Sequence, residues 1–186
     1  MKNNILTILL ALGCIFSCRQ SDASGKEVLK IVIIRHAEKS GNDDNLSCKG
    51  FNRSMLLPAV LYRKFGIPNK IYVPKINAGA QTKHLRMLQT VTPLAAKYRI
   101  PINTRYDEDG YDDLVNALLH EKGLVIVVWE HNTIPPIVRR LAPAADHLHW
   151  DDNDYDSICI ISFQRSGKPA LSFDSEHINP GDKCNF

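Results

Sequence analysis

Two histidines and two arginines are the residues of this sequence best suited to chemistry. Arg35 and His36 directly follow the apolar run "IVII", and His131 directly follows "LVIVVWE". A second arginine, Arg86, lies between them in the chain, in "HLRMLQT". Several cations around one imidazole repel each other unless an anion joins them, and a phosphate monoester accepts charge-assisted, often bidentate hydrogen bonds from guanidinium groups. The four residues therefore predict a pocket for a phosphorylated ligand.

The predicted reaction is phosphoryl transfer to His36. An arginine beside a histidine disfavours the imidazolium, and this leaves one ring nitrogen free as a nucleophile near neutral pH. When His36 attacks phosphorus, Arg35, Arg86 and His131 are expected to stabilise the charge that develops on the equatorial oxygens. This mechanism requires no metal ion and no other cofactor.

The residues between these positions predict an α/β fold. Apolar runs of strand length alternate with longer helical patterns, which is typical of parallel βαβ units. With no internal repeat or linker, the pattern predicts one three-layer domain with a mostly parallel central sheet. Ligands of such sheets bind beyond the carboxyl ends of the strands, where His36 and His131 are expected. The predicted strands are residues 28–34, 70–74, 124–129 and 157–163 with an edge strand at 170–174, and the predicted helices are residues 49–65, 81–98, 111–121 and 133–142.

Four ordered motifs resemble those of the histidine phosphatase superfamily. They are "RHAEK", "LSCKGFNRSMLLPAVL", "RMLQTVTPLA" and "EHNTIPPIV", and the resemblance extends from about residue 28 to residue 163. It implies a phosphoglycerate mutase-like αβα sandwich and a phosphatase that hydrolyses a phosphate monoester through a phosphohistidine on His36. It also implies that Arg35, Arg86 and His131 bind the phosphate without a cofactor. The short chain has no long insertion over the pocket, which favours hydrolysis over a mutase reaction.

These motifs leave the general acid open. Many members of the superfamily carry a carboxylate after the second arginine, or an aspartate directly after the second histidine, where this chain has Asn132. Glu38 is expected to orient the basic side chains through an ion pair, and strand alternation would point Glu130 to the face opposite His131. The remaining candidates, each of which could instead be an ordinary solvated loop residue, are Asp107, Glu108 and Asp109.

Two other functions remain open at this point. A binding protein that retains the anion pocket without turnover would hold phosphate or a phosphorylated sugar through the same arginines, and the missing acid favours it. A zinc enzyme centred on His147 and His149 in "HLHW" would need a third ligand, which the spacing does not supply. We therefore expect a surface loop at "HLHW" and predict no metal site.

The first 18 residues predict an export signal. Lys2 precedes the apolar run "ILTILLALGCIF", which is too short to span a bilayer as a helix. Ser17-Cys18 after this run resembles the lipobox of bacterial lipoproteins, so Cys18 is expected to carry a lipid that anchors the protein to a membrane. A plain signal peptide and a retained anchor are the alternatives. Residues 19–27 are expected to form a tether and residues 28–186 the phosphatase-like domain, in the periplasm or anchored at the outer membrane.

The net charge limits the classes of binding partner, and the positions of the cysteines limit which of them can form a disulfide. The formal net charge of +3 is small and the basic residues are scattered, which argues against nucleic acid and leaves a small phosphorylated substrate as the expected partner. Cys159 lies in the apolar run "ICIISF" and is expected to be buried in a strand. Cys48 and Cys184 are left as a possible disulfide pair in an oxidising compartment.

Overall fold

The computed structural model describes residues 27–41, 44–79, 82–165 and 167–184. The predicted signal segment, Cys18 and the predicted tether up to residue 26 lie outside the described residues. Within them, no helix is both long enough and apolar enough to cross a membrane.

A six-stranded sheet forms the centre of the domain. Its strands are β1 (Glu27–Arg35), β2 (Lys70–Tyr72), β3 (Ile102–Asn103), β4 (Gly123–Trp129), β5 (Ser157–Gln164) and β6 (Ala170–Ser175). They are arranged in the order β3-β2-β4-β1-β5-β6. The four strands from β3 to β1 are parallel, whereas β5 is antiparallel to both β1 and β6. The prediction of a mostly parallel sheet is confirmed.

Helices cover both faces of this sheet. They are α1 (Cys48–Phe65), α2 (Leu85–Tyr98), α3 (Tyr111–Leu118) and α4 (Ile134–Leu141), with a short 3₁₀ turn at Pro143–Ala145. The apolar side chains of α1 and α2 share one buried cluster with Val32 and Ile34 of β1, and those of α3 and α4 share another with Ile31 and Ile33. Because both faces of β1 are covered, its sequence is an almost continuous apolar run. The domain is therefore the predicted three-layer sandwich.

Four elements differ from the sequence expectation by two residues or more, and one of them is β2, which ends at Tyr72 instead of residue 74. The edge strand β3 is two residues long, too short for a periodic pattern to predict it. The helix α2 begins at Leu85 instead of residue 81, because His84 before it has a left-handed backbone (φ 61°) that an α-helix cannot include. The helix α3 ends at Leu118 instead of residue 121.

A disulfide joins the start of α1 to the C-terminal end of the described residues. Cys48, the first residue of α1, is bonded to Cys184, and their Cα atoms are 5.0 Å apart. The side chain of Asn52, one turn further along α1, donates to the carbonyl oxygens of Gly181 (2.7 Å) and Lys183 (2.9 Å). Cys159 is buried and free, as the sequence predicts. A crosslink across 136 residues is expected to stabilise the fold by about 2–5 kcal/mol.

Candidate active site

Two adjacent parallel strands deliver the predicted catalytic residues to one edge of the sheet. Arg35 at the end of β1 is in register with Trp129 at the end of β4, and the backbone N–H of His36 donates to the carbonyl oxygen of Trp129 (3.2 Å). Glu130 and His131 follow directly, so they lie beside His36. Arg86 is the second residue of α2, which packs on β4. The site is thus assembled from the carboxyl edge of the sheet and the start of one helix.

The imidazole of His36 is held with one nitrogen facing this cluster. Its side chain is fully buried. Nδ1 lies 2.7 Å from the carbonyl oxygen of Ala37, which can only accept a hydrogen bond, so Nδ1 carries a proton. Burial lowers the pKa of His36, against the opposing effect of hydrogen bonds to Glu130 and Ala37. Nε2 is therefore the ring nitrogen that faces the cluster and can act as the nucleophile.

A carboxylate that the sequence did not predict, Glu130, occupies the centre of the cluster. Its Oε2 lies 2.9 Å from Nε2 of His36 and 2.8 Å from Nη2 of Arg86, and its Oε1 contacts Nδ1 of His131. Burial raises the pKa of Glu130, but the hydrogen bonds from His36 and Arg86 outweigh it and hold this pKa well below its usual range. Glu130 is the resident anion among the cations of the site.

The two arginines are held by different parts of the chain. Arg86 donates through Nη1 to Oδ1 of Asp44 (2.5 Å) as well as through Nη2 to Glu130. Arg35 is buried and donates through Nη1 to the carbonyl oxygen of Asp152 (2.5 Å), and its guanidinium lies over the ring of Tyr155, with Cζ 3.9 Å from the ring centre. Arg35 therefore also fixes the loop after α4 against the end of β1.

The second histidine is tied to that same loop. Nε2 of His131 lies 2.9 Å from Oδ1 of Asp152, whose side chain is 81% exposed. Because His131 and His36 both contact the carboxylate of Glu130, their rings open onto the same side of the sheet. Asp44 and Asp152 were not among the predicted site residues, since they lie in loops without a periodic pattern.

Three buried side-chain nitrogens near the cluster lack a hydrogen-bond partner. They are Nε of Arg35, Nε of Arg86 and Nδ1 of His131. No other buried side-chain nitrogen or oxygen in the described residues lacks a partner. The contact of His131 Nδ1 with Glu130 does not have hydrogen-bond geometry. An unpaired buried donor costs about 1–3 kcal/mol, so native proteins keep few of them. The three residues that own these donors are the three predicted to bind phosphate.

The three acids proposed as general acid lie away from this cluster. Oε2 of Glu108 lies 2.7 Å from Nδ1 of His84, while the backbone carbonyl of Glu108 accepts from the indole of Trp129 (2.9 Å). Asp107 is exposed, lies 3.8 Å from Lys75 and lines a separate surface cavity. Asp109 is also exposed. Among these, Glu108 alone is anchored beside the start of α2 and the end of β4.

Glu38 forms an ion pair, as predicted, but its partner in the described residues is Arg53 of α1 and not one of the basic side chains of the site. Its carboxylate accepts from Nε and Nη2 of Arg53 in α1 (both 3.0 Å), and Nη1 of the same guanidinium donates to Glu176 (2.7 Å). Gly50 is required for this approach, because a Cβ there would lie 2.1 Å from the carbonyl oxygen of Glu38. The network fixes the "RHAE" segment on α1, and Arg53 is not free to bind substrate.

We expect the Glu176 carboxyl to make stability depend on pH. Burial raises the pKa of Glu176 to about 8, against the effect of Arg53, since one guanidinium serves several carboxylates. A folded-state pKa above the unfolded value of 4.5 means that the folded protein binds more protons between these pH values. Its free energy of unfolding therefore falls as the pH rises towards 8, by at most about 1.4 kcal/mol per pH unit.

Urea unfolding between pH 5 and 9 measures this slope. Glu176→Gln should flatten it, and parallel curves for the two proteins would contradict the assignment.

The described residues contain no group of three potential metal ligands close enough to share an ion. His147 is 96% exposed on its side chain and contacts Asp146 at 3.6 Å, and His149 is also exposed. The "HLHW" segment therefore lies in a surface loop in this structure.

Comparison with protein-family models and with curated proteins finds no match. Comparison with solved structures finds enzymes of similar fold. The protein histidine phosphatase SixA, solved with tungstate, has a TM-score of 0.58 and 16% identity, over 79% of this chain and 97% of that one. A phosphoglycerate mutase from Plasmodium falciparum has a TM-score of 0.57 and 12% identity, over 86% of this chain and 99% of that one. A mycobacterial glucosyl-3-phosphoglycerate phosphatase, solved with inorganic phosphate, has a TM-score of 0.53 and 14% identity, over 78% of this chain and 95% of that one.

These three structures resemble the chain over about four fifths of its length. At identities of 12–16% the likeness concerns the fold, and the coverage shows that it includes almost the whole of each of those chains. The chain has the phosphoglycerate mutase-like fold, as its motifs predict.

Proposed function

We propose that the protein is a phosphatase that hydrolyses a small phosphate monoester through a phosphohistidine on His36. In the first step Nε2 of His36 attacks phosphorus and the alcohol leaves. In the second step water attacks the phosphohistidine and releases inorganic phosphate. Arg35, Arg86 and His131 bind the phosphoryl oxygens in both steps, and the proposal includes no metal ion.

The observation that carries this proposal is the set of unpaired buried donors. Arg35, Arg86 and His131 each keep one buried nitrogen without a hydrogen-bond partner among the described residues. A phosphoryl group has several acceptor oxygens and two negative charges, so it can satisfy donors that converge from different elements. A tetrahedral dianion is the ligand that best explains why these donors remain buried and unpaired.

The orientation of His36 supports turnover as well as binding. The carbonyl of Ala37 fixes Nδ1 as the protonated nitrogen, and the backbone N–H of Ala37 is itself held by Oγ1 of Thr90 (2.9 Å). This leaves Nε2 as the nitrogen that faces the anion site. A nucleophile needs one ring nitrogen fixed towards phosphorus in this way, whereas a site that merely held phosphate would gain nothing from it. Structures of enzymes with this fold have been solved with tungstate and with phosphate, which supports an anion at the corresponding site of this chain.

The competing function is a binding protein that holds phosphate without turnover. One observation favours it: the carboxylate of Glu130 covers Nε2 of His36 at 2.9 Å and competes with an incoming anion for Arg86. A carboxylate cannot remain there while a dianion binds, so the phosphatase requires that Glu130 move when substrate enters.

Trapping of the intermediate distinguishes the two functions. We expect the full-length protein, mixed with 4-nitrophenyl phosphate and quenched in alkali, to carry an added phosphoryl mass on the peptide that contains His36. The nitrophenolate released in the same experiment measures turnover. Saturable phosphate binding without a phosphopeptide and without product would support the binding protein instead. Chelator should leave turnover unchanged, whereas tungstate should inhibit it.

We also propose that the enzyme acts outside the cytoplasm on phosphorylated compounds of the cell envelope. The support is the predicted export signal and lipobox Cys18 together with the disulfide between Cys48 and Cys184, since disulfides persist in oxidising compartments. Fractionation of cells, with and without Cys18→Ser, tests the anchor: the wild-type protein should remain with the membranes and the variant should not.

A further inference from the structure

We infer that Glu130 is the general acid and base of the reaction, exchanging one proton between Nε2 of His36, the leaving-group oxygen and the attacking water. The inference rests on the proposed phosphatase function. It assigns a role to a residue that lies outside the acids predicted from the motifs. The geometry that points to it is the position of Oε2, 2.9 Å from the attacking nitrogen and 2.8 Å from Nη2 of Arg86.

Without substrate, Glu130 supplies the anion that the cations require. It contacts His36, Arg86 and His131 at once, and its side chain is 13% exposed. With Nδ1 of His36 bonded to a carbonyl, a contact of 2.9 Å between Nε2 and a carboxylate oxygen is stable when one proton lies between them. Glu130 thus shares a proton with the nucleophile before substrate arrives.

Substrate binding shifts that proton towards Glu130. A phosphoryl dianion engages Arg86, so the carboxylate loses one of the two contacts that lower its pKa, the other being its hydrogen bond with His36. Burial and the negative charge of the bound phosphoryl group then both raise the pKa of the carboxyl group. The shared proton therefore moves to Oε2 of Glu130, and the lone pair of His36 becomes free to attack. Binding of the substrate and activation of the nucleophile are coupled in this way.

Both chemical steps use this one proton, which Glu130 gives up in the first step and regains in the second. In the first, the Nε2–P bond forms and the P–O bond to the alcohol breaks. The electron pair stays on the ester oxygen, which takes the proton from Glu130 and leaves as the alcohol. In the second, water attacks phosphorus and gives one proton to the Glu130 carboxylate. The P–N bond breaks, its electron pair returns to Nε2, and hydrogen phosphate leaves with the other proton of the water.

The structure allows Glu130 the movement that an in-line reaction requires. The leaving oxygen lies opposite Nε2 across phosphorus, so the carboxylate must rotate away from His36 to reach it. The backbone of Glu130 is fixed, because its carbonyl accepts from the N–H groups of Thr133 and Ile134 (3.0 Å each). The carboxylate is held by His36, Arg86 and His131, and all three are groups that the substrate engages. Substrate therefore releases the side chain without disturbing the main chain.

Glu108 is the competing candidate, and its contacts differ. Its carboxylate lies 2.7 Å from Nδ1 of His84 and has no hydrogen bond or ion pair with His36, Arg86 or His131 in the described residues. Glu108 is anchored beside the start of α2 and the end of β4 but outside the cluster, so Glu108→Gln is the matched control for Glu130→Gln.

The dependence of rate on the leaving group tests the assignment. The full-length protein is assayed with a series of aryl phosphates of increasing phenol pKa and with one alkyl phosphate. We expect Glu130→Gln to lower kcat/KM for the alkyl ester by about 10²–10⁴-fold, because an alkoxide needs a proton to leave. The loss with 4-nitrophenyl phosphate should be far smaller, since nitrophenolate leaves without one. Glu130→Asp should restore part of the alkyl activity, and Glu108→Gln should keep the wild-type dependence.

The outcomes separate this inference from the proposed function. An equal loss with all esters, no loss, or a leaving-group dependence that appears in Glu108→Gln instead would overturn the role of Glu130 while wild-type phosphohistidine formation stands. If the wild-type protein forms no phosphohistidine and releases no product, the proposed function fails and this inference fails with it. Circular dichroism monitors folding of each variant. If Glu130→Gln does not fold, the test uses the ratio of alkyl to nitrophenyl activity in Glu130→Asp. A ratio below that of the wild-type protein supports the role of Glu130, and a ratio equal to that of the wild-type protein overturns it.

Discussion

His36→Ala is expected to reduce the hydrolysis of 4-nitrophenyl phosphate by about 10⁴-fold or more, a loss on the scale seen when other covalent nucleophiles are removed. The substitution deletes Nε2, the nitrogen that faces the cluster, while Arg35, Arg86 and His131 remain to bind the anion. We therefore expect binding of inorganic phosphate, measured by calorimetry, to survive in the same variant. Loss of turnover with retained binding is the signature of a missing nucleophile.

A matched histidine variant controls for general damage to the fold. His120→Ala removes an exposed imidazole at the end of α3, whose Nδ1 bonds the carbonyl of Asn116 (2.7 Å). Its activity should equal that of the wild-type protein. If His36→Ala turns over within about tenfold of the wild-type rate, a different group attacks phosphorus and the phosphohistidine mechanism is wrong.

The strands that position the site were predictable because they are buried on both faces. Their residues form long apolar runs, and each run ends where a polar residue begins: at Arg35 for β1 and at Glu130 for β4. The meeting of the two strand ends follows from the parallel arrangement, since adjacent parallel strands end at the same edge. Sequence reasoning therefore located the edge of the sheet and the side chains that lie there.

The position of Glu130 at the centre of the cluster was not predictable from strand alternation. That reasoning assumed that β4 continued beyond Trp129, whereas the chain turns at Glu130, whose carbonyl accepts from Thr133 and Ile134. Alternation would separate Glu130 from His131, whereas the Glu130 carboxylate contacts His131 as well as His36 and Arg86. A carboxylate directly before a predicted catalytic histidine is the sequence feature that could have indicated its position.

Loop residues explain the remaining differences between prediction and structure. Asp44 and Asp152 reach the site from loops whose contacts join distant parts of the chain, so no local pattern predicts them. The acids at 107–109 were selected because they follow the second arginine in sequence. In the fold, the carbonyl of Glu108 accepts from Trp129 and its carboxylate contacts His84, away from the nucleophile. Proximity in sequence was a poor guide to proximity in the site.

Arg86→Lys is expected to lower kcat/KM by about 10²–10³-fold, although it keeps the positive charge. The guanidinium of Arg86 spans two anions, Asp44 through Nη1 and Glu130 through Nη2, and leaves Nε buried without a partner. An ammonium group cannot reproduce this fork of donors, so the phosphoryl oxygens lose a bidentate contact. The matched control is Arg63→Ala, which removes an exposed arginine of α1 and should leave kcat/KM unchanged.

Arg86→Ala should also change how stability depends on pH, because Arg86 helps to lower the pKa of Glu130. A carboxyl group whose folded-state pKa is lowered stabilises the fold above its ordinary value of 4.5, and this stabilisation is lost as the pH falls. Without Arg86 that contribution shrinks, so the variant should unfold at lower urea concentration than the wild-type protein at pH 7. The difference should narrow below pH 4.5, where protonation removes the contribution from both proteins. A difference that persists unchanged at acidic pH would mean that Arg86 stabilises the fold through packing, and that Glu130 does not depend on it.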